Sequence, residues 1–149
     1  MINTNNHVIV RNMMDYTLFD DVDIERRIFV SWDLFELAAT DLYNQMLEYE
    51  EKNNVKFENI YALPRGGLCL GVKLSYMAKL PVLTDREKIT KDTLVVDDCT
   101  DTGHTLSGFK DNVTLVMFHK PTSSFRPTLF FKETAKQINF CWESKEERN

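Results

Sequence analysis

The stretch Thr93-Leu94-Val95-Val96-Asp97-Asp98-Cys99-Thr100-Asp101-Thr102-Gly103-His104-Thr105-Leu106 restricts the fold more than any other part of the chain. It starts with a short apolar run, the pattern of a strand buried on both faces. Two adjacent carboxylates follow, then a hydroxyl- and glycine-rich turn, then a short helical piece expected over about 104–110. In open α/β sheets, ligand sites are built where strands end at their carboxyl edge. Acids and backbone donors delivered at a strand end are the parts such an edge needs.

The remaining pattern agrees with a sheet of this kind. Ser31 is placed to cap a helix, with Asp33 in its first turn, and Leu34, Leu37, Ala38, Leu42 and Met46 recur at helical spacing to about Tyr49. Asn59-Ile60-Tyr61-Ala62-Leu63 predicts a strand stopped by Pro64-Arg65-Gly66-Gly67, and Leu68 to Ala78 a helix. Pro81 to Thr84 and Val113 to Phe118 predict two more strands, with a polar loop from Asp85 to Asp92. Alternation of strands and helices predicts an α/β fold, a mostly parallel twisted sheet flanked by helices. The stretch from His119 to Trp142, with Pro121, Pro127 and several aromatics, is expected to form a small C-terminal hood. A strand at His7-Val8-Ile9-Val10 is the one element expected near the N-terminus, before the acidic run Asp15, Asp20, Asp21 and Asp23.

Length and charge narrow the classes. The 149 residues, 43% hydrophobic and 28% charged, suit one globular domain over residues 1–149. A net charge of -5 lacks the basic footprint of a nucleic-acid or membrane-surface binder. Cys69, Cys99 and Cys141 are odd in number and widely spaced, which fits neither a disulfide framework nor a zinc site and points to a reducing cytoplasm. No apolar run approaches the roughly 18 residues of a spanning helix, and Met1 to Asn6 lacks the pattern of a signal peptide.

Two turns carry the chemistry. In Asp101-Thr102-Gly103-His104-Thr105 a glycine allows successive N–H groups to form a nest for an anion, with hydroxyls from Thr102 and Thr105 and the start of a helix beside it. The P-loop pattern is absent. Asp97 and Asp98 suit ribose hydroxyls and a hydrated divalent cation, because magnesium takes one or two carboxylates plus substrate oxygens and waters. In the second turn, Gly66 and Gly67 permit close backbone approach and Arg65 offers a planar fork for phosphate oxygens. Two anion turns with ribose-binding acids between them describe a phosphorylated sugar bearing a pyrophosphate.

The run Leu94 to Thr105 resembles the phosphoribosyl pyrophosphate signature of type I phosphoribosyltransferases. Within that family the chain is most similar to the xanthine-guanine and hypoxanthine phosphoribosyltransferases. The likeness runs from Phe29-Val30-Ser31-Trp32-Asp33 through Arg65-Gly66-Gly67-Leu68 to Phe118-His119-Lys120-Pro121 and Cys141-Trp142-Glu143, leaving residues 1–28 as a variable segment and 119–149 as hood and tail. The resemblance implies an enzyme of purine salvage. It would transfer a 5-phosphoribosyl group from phosphoribosyl pyrophosphate to a 6-oxopurine with Mg2+, as a cytoplasmic homodimer or homotetramer.

By position, it implies that Asp97 and Asp98 hold ribose hydroxyls and magnesium-bound water, and that Asp101 takes the purine proton. The 5′-phosphate would sit on Thr102, Gly103, His104 and Thr105, and Arg65, Gly66 and Gly67 would face the pyrophosphate. Lys120 would donate to the 6-oxo group. Two departures stand out. The Asp85–Asp92 loop is short, keeping Arg86 and Lys88 as pyrophosphate contacts, and Gln137 stands where relatives carry a stacking aromatic. Stacking is therefore expected from Ile138, Phe140 or an aromatic between Phe125 and Phe131. His104 and His119 lie near the inferred site. The alternatives are transfer to another base, such as orotate or uracil, and a non-catalytic regulator that binds the donor or a nucleotide.

Overall fold

The computed structural model describes residues 26–143; the expected strand at His7–Val10 lies outside them. Five strands form one parallel sheet in the order β3-β2-β4-β5-β6: β2 (Asn59–Ala62), β3 (Val82–Leu83), β4 (Thr93–Thr100), β5 (Thr114–His119) and β6 (Leu129–Glu133). A separate pair joins β1 (Arg27–Val30) to β7 (Gln137–Phe140), also in parallel. The helices are α1 (Trp32–Asn53) and α2 (Gly67–Ala78).

Local chemistry sets the boundaries. The Ser31 hydroxyl accepts from the Leu34 amide at 3.1 Å and caps α1 as expected. The helix closes at Asn54, whose φ of 51° supplies the left-handed residue that ends many helices. Along β4 the apolar residues divide between the faces, as a period of two requires. Leu94 and Val96 enter a core with Leu34, Leu42, Met46, Leu70 and Leu74, whereas Val95 enters a second core with Leu63, Leu106, Phe109 and Val116. Both helices therefore cover one face. The other is closed by a single 3-10 turn (Leu106–Phe109) and by loops carrying Ile89 and Phe125.

β4 continues through Thr100, so Asp97 and Asp98 stand near the strand end, as expected. Two expectations are corrected. The helical piece expected over about 104–110 shrinks to the four-residue 3-10 turn. The stretch expected to form one hood from 119 onward is split. Leu129–Glu133 joins the main sheet beside β5, and the small lobe consists of β7 with β1, which begins at Arg27 inside the segment expected to be variable.

The strand order places the site. From β2 the chain crosses through α2 to β3 on one side, then returns to lay β4 on the other side of β2. The carboxyl ends of β2 and β4 flank this reversal, the position where open α/β sheets bind ligands. α2 is held close to β2 at Gly71, where an added Cβ would lie 2.4 Å from the Ala62 Cβ. Gly71→Ala would gain about 1 kcal/mol of helix propensity. It would also overpack the α2–β2 contact, which typically costs about 1–3 kcal/mol. The expected outcome in urea denaturation is net destabilisation; a raised midpoint would show that the contact yields.

Candidate active site

The turn after β2 and the acids of β4 meet without intervening side chains. A Cβ at Gly66 would fall 2.0 Å from Asp98 Oδ2, and one at Gly67 would fall 2.8 Å from the Val96 carbonyl oxygen and 2.9 Å from the Asp97 Cα. Any side chain at either position would have to displace β4 or its carboxylates. The turn is tied back by the Leu63 amide to the Val96 carbonyl at 2.9 Å and by the Gly67 amide to the Leu63 carbonyl at 2.9 Å. The Pro64–Arg65 peptide is cis. Arg65 stands exposed on the turn and lines a cleft of about 360 Å³ with Gly66, Asp98, Trp142 and Glu143.

Asp97 and Asp98 take different settings. The Asp98 amide donates to Asp97 Oδ1 at 2.8 Å, turning that carboxylate back onto its own strand, whereas Asp98 lines the clefts. Burial first, and then the charge of Asp98, push Asp97 up to about 8; burial also raises Asp98. Two carboxylates this close and this desolvated do not both ionise readily without a cation or hydroxyl donors. Among the described residues no group of three or more His, Cys, Asp or Glu side chains gathers to hold a metal. Two carboxylates with no third protein ligand fit a cation that draws its other ligands from substrate oxygens and water, as magnesium does. The neighbouring Cys99 thiol is raised by burial and by the Asp101 and Asp98 carboxylates, so it stays protonated and unreactive.

The second turn has the glycine conformation that the expected nest needs. Gly103 has φ 85°, and a Cβ there would meet the Phe125 amide nitrogen at 2.6 Å. The Ser124 amide and hydroxyl both donate to the Thr102 carbonyl at 2.9 Å. The segment after Lys120 thus buttresses the turn from below. Thr102, His104 and Thr105 are exposed, and Thr102 Oγ1 accepts from the His104 amide at 3.2 Å. Since only a 3-10 turn follows, anion-binding capacity resides in the loop amides and hydroxyls and gains little from a helix end.

Beside this turn lies a second cleft, about 320 Å³, lined by Asp98, Asp101, Lys120, Ile138, Asn139 and Glu143 among others. It brings together the residues assigned above to the acceptor: Asp101, Lys120 and Ile138. Lys120 is no solvated surface lysine. It is only 9% exposed, and its ammonium donates to the Lys136 carbonyl. Of the other expected stacking residues, Phe125 packs on Gly103 and Phe131 meets Phe118 edge-on in the core, whereas Phe140 borders this cleft while stacked on Trp142 with centroids 4.6 Å apart. Ile138, half-buried, lines the cleft beside it.

Arg86, expected to contact pyrophosphate, is exposed, with its guanidinium 4.4 Å from the centroid of the Phe109 ring on the 3-10 turn. Glu143 was missed from the sequence as a site residue. It lines both clefts and accepts from the Phe140 amide at 3.3 Å. The closing Cys141-Trp142-Glu143 match was the signal that could have found it.

No family model matches the chain, and no curated protein matches it. Solved structures do. A purine phosphoribosyltransferase from Pyrococcus horikoshii superposes with a TM-score of 0.66 at 24% identity, over 79% of this chain and 94% of that one. The Helicobacter pylori xanthine-guanine-hypoxanthine phosphoribosyltransferase gives 0.65 at 22% identity, over 83% and 97%. A hypothetical protein from Neisseria gonorrhoeae with bound ppGpp gives 0.58 at 15% identity, over 81% and 91%. The chain thus has the phosphoribosyltransferase fold.

The raised acids have a consequence for stability. Below about pH 3 the carboxyls are protonated in folded and unfolded chains alike and contribute nothing. As pH rises from about 4 toward 8 the unfolded chain ionises first, so the folded state is progressively penalised. Asp97→Asn is expected to raise the urea midpoint of the ligand-free protein at pH 7.5 and to leave it unchanged at about pH 3. A lowered midpoint at pH 7.5 would contradict the assignment.

Proposed function

We propose that this protein transfers the 5-phosphoribosyl group of phosphoribosyl pyrophosphate to a ring nitrogen of a 6-oxopurine, giving the nucleoside 5′-monophosphate and pyrophosphate. The observation that carries this reading is the meeting of two anion turns and an acid pair at the β2–β4 reversal, beside a cleft holding Asp101 and Lys120.

In this reading the 5′-phosphate lies on the loop from Thr102 to Thr105, and the ribose hydroxyls donate to Asp97 and Asp98. Magnesium, held by the same two acids, would neutralise charge on the pyrophosphate oxygens. Arg65 and the backbone of Gly66 and Gly67 face the leaving group, where negative charge grows as the anomeric C–O bond breaks. The purine nitrogen forms the new bond to that carbon, and its ring proton passes to the Asp101 carboxylate. The Lys120 ammonium donates to the 6-oxo oxygen, which favours oxopurines over a 6-amino base. Ile138 supplies apolar contact to the ring.

The proposal extends to a reducing cytoplasm and a homodimer or homotetramer. Three cysteines outside any disulfide support the first, and Leu68, Val72 and Tyr76, exposed along α2 next to the Arg65 turn, support the second. Among the described residues no helix is long and apolar enough to cross a membrane. A second reading, a nucleotide-binding regulator without turnover, draws on the Neisseria gonorrhoeae structure with ppGpp.

Turnover of phosphoribosyl pyrophosphate with magnesium, measured against guanine, hypoxanthine, xanthine, adenine, orotate and uracil, separates these readings. Product from oxopurines is expected; tight donor binding without product from any base supports the regulator instead. Asp101→Asn should lower kcat by about 10²–10⁴, the usual contribution of a positioned general base, while donor affinity holds. Lys120→Ala should chiefly raise KM for oxopurines; unaltered base selection would remove Lys120 from this role.

A further inference from the structure

A polar row, buried at Thr100 and His119 and exposed at Glu133, ends the strands next to the acceptor cleft. Thr100 ends β4, His119 ends β5 and Glu133 ends β6, and the three are register partners across adjacent parallel strands. Register partners point to the same face of a sheet, so their side chains form a line. Thr100 Oγ1 lies 2.8 Å from His119 Nδ1, with the two residues 2% and 3% exposed. His119 Nε2 faces Glu133 Oε1 at 3.7 Å, too long for a hydrogen bond but close enough for attraction. The imidazole also leans on the Phe130 ring, 5.3 Å between centroids, with the Arg126 guanidinium on that ring.

The Glu133 carboxyl group beside Nε2 favours the tautomer with the ring hydrogen there, in which Nδ1 accepts from the Thr100 hydroxyl. Burial, followed by Arg126, lowers the imidazole's affinity for a second proton, and Glu133 works against this.

Position gives the row its meaning. Thr100 directly precedes Asp101, and His119 directly precedes Lys120. Both residues sit where their strands end, just beyond the register pair Thr100 and His119 and the Lys120 amide bond to the Thr100 carbonyl at 3.1 Å. The Thr100–His119 side-chain bond ties the same two positions a second way and restricts the strand ends more than the backbone alone. The constraint matters because the purine edge is rigid: its imidazole nitrogen and its 6-oxo oxygen must meet Asp101 and Lys120 together. Burying a hydroxyl and an imidazole where two apolar side chains would pack as well is costly unless they are paired, so the pair contributes geometry and not burial.

We propose that His119 is a positioning residue, its imidazole bonded to Thr100 so as to set the separation of Asp101 and Lys120 across the acceptor cleft. The proposal rests on the phosphoribosyl-transfer reading above.

The test compares Thr100→Val, which keeps shape and loses the hydroxyl, with Thr100→Ser, which restores it, and with His119→Phe, which keeps a ring without nitrogens. Thr100→Val and His119→Phe should each lower kcat/KM for the oxopurine about ten-fold or more, the scale of a sub-ångström misplacement. Affinity for phosphoribosyl pyrophosphate should stay within about two-fold, since the donor side of the site is untouched. Thr100→Ser should restore most of the loss, and the double variant should be no worse than either single. In the wild-type protein, two-bond 1H–15N spectra should show His119 protonated at Nε2 with Nδ1 accepting.

Wild-type base kinetics in both single variants, an equal loss of donor affinity, or additive losses in the double variant would each overturn the proposal. A wild-type chain that turns over no base would overturn the functional reading itself, a result distinct from any of these.

Discussion

Everything at the site depends on backbone lying directly against carboxylates. Gly66 and Gly67 have no side chains, so the turn after β2 rests on Asp97 and Asp98 of β4, closer than any Cβ would permit. That contact makes the turn and the acids one unit, and it exists only because β2 and β4 are parallel neighbours ending at the same edge. The α2–β2 packing through Gly71 and Ala62 holds the turn in place from behind. The unit is not at rest without a ligand. Two acids buried side by side have their proton affinities raised, chiefly by desolvation, and a cation or ribose hydroxyls would relieve the cost. Local destabilisation retained by an otherwise well-packed fold is the expected mark of a binding site.

The acceptor side is built differently. Its cleft lies between the end of β4, the residue after β5, and β7 of the small lobe, so three separate segments must be held in register. Lys120 is drawn inward by the Lys136 carbonyl, and Glu143 closes the far side while also bordering the pyrophosphate turn. Gln137 is exposed, Phe125, Phe130 and Phe131 make other contacts, and the apolar border of the cleft is Ile138 with the buried Phe140. A rigid ring in such a cleft depends on accurate placement of the polar groups around it. The Thr100–His119 bond lies where such placement would be set.

What was legible in the sequence was what is encoded locally. The helix capped by Ser31, the apolar run into Asp97-Asp98, and the glycine turns each carry their signal within a few residues, and each is found as read. What was not legible depends on distant partners. Leu129–Glu133 lies after Pro121 and Pro127 in an aromatic-rich stretch, and only the open edge of β5 makes it a strand. The four-residue strands β1 and β7 pair across more than a hundred residues, with no local signal for their union. The Phe109 ring under Arg86 and the Lys136 carbonyl that receives Lys120 are likewise set by partners distant in the chain. The residues of the two turns lie in two continuous motifs, so their meeting at one sheet edge is legible locally; Glu143, brought to the clefts by the small lobe, is not.

The most direct measurement is calorimetric binding of phosphoribosyl pyrophosphate with magnesium at pH 7, repeated in two buffers of different ionisation enthalpy. If the raised acids of β4 hold the ribose and the cation, binding must drive off a proton that the free protein retains. Saturable binding with proton release is the expected result, together with its loss in Asp97→Asn. Absence of binding, or binding with the same heat in both buffers, would contradict the assignment of Asp97 and Asp98 on which the site is built.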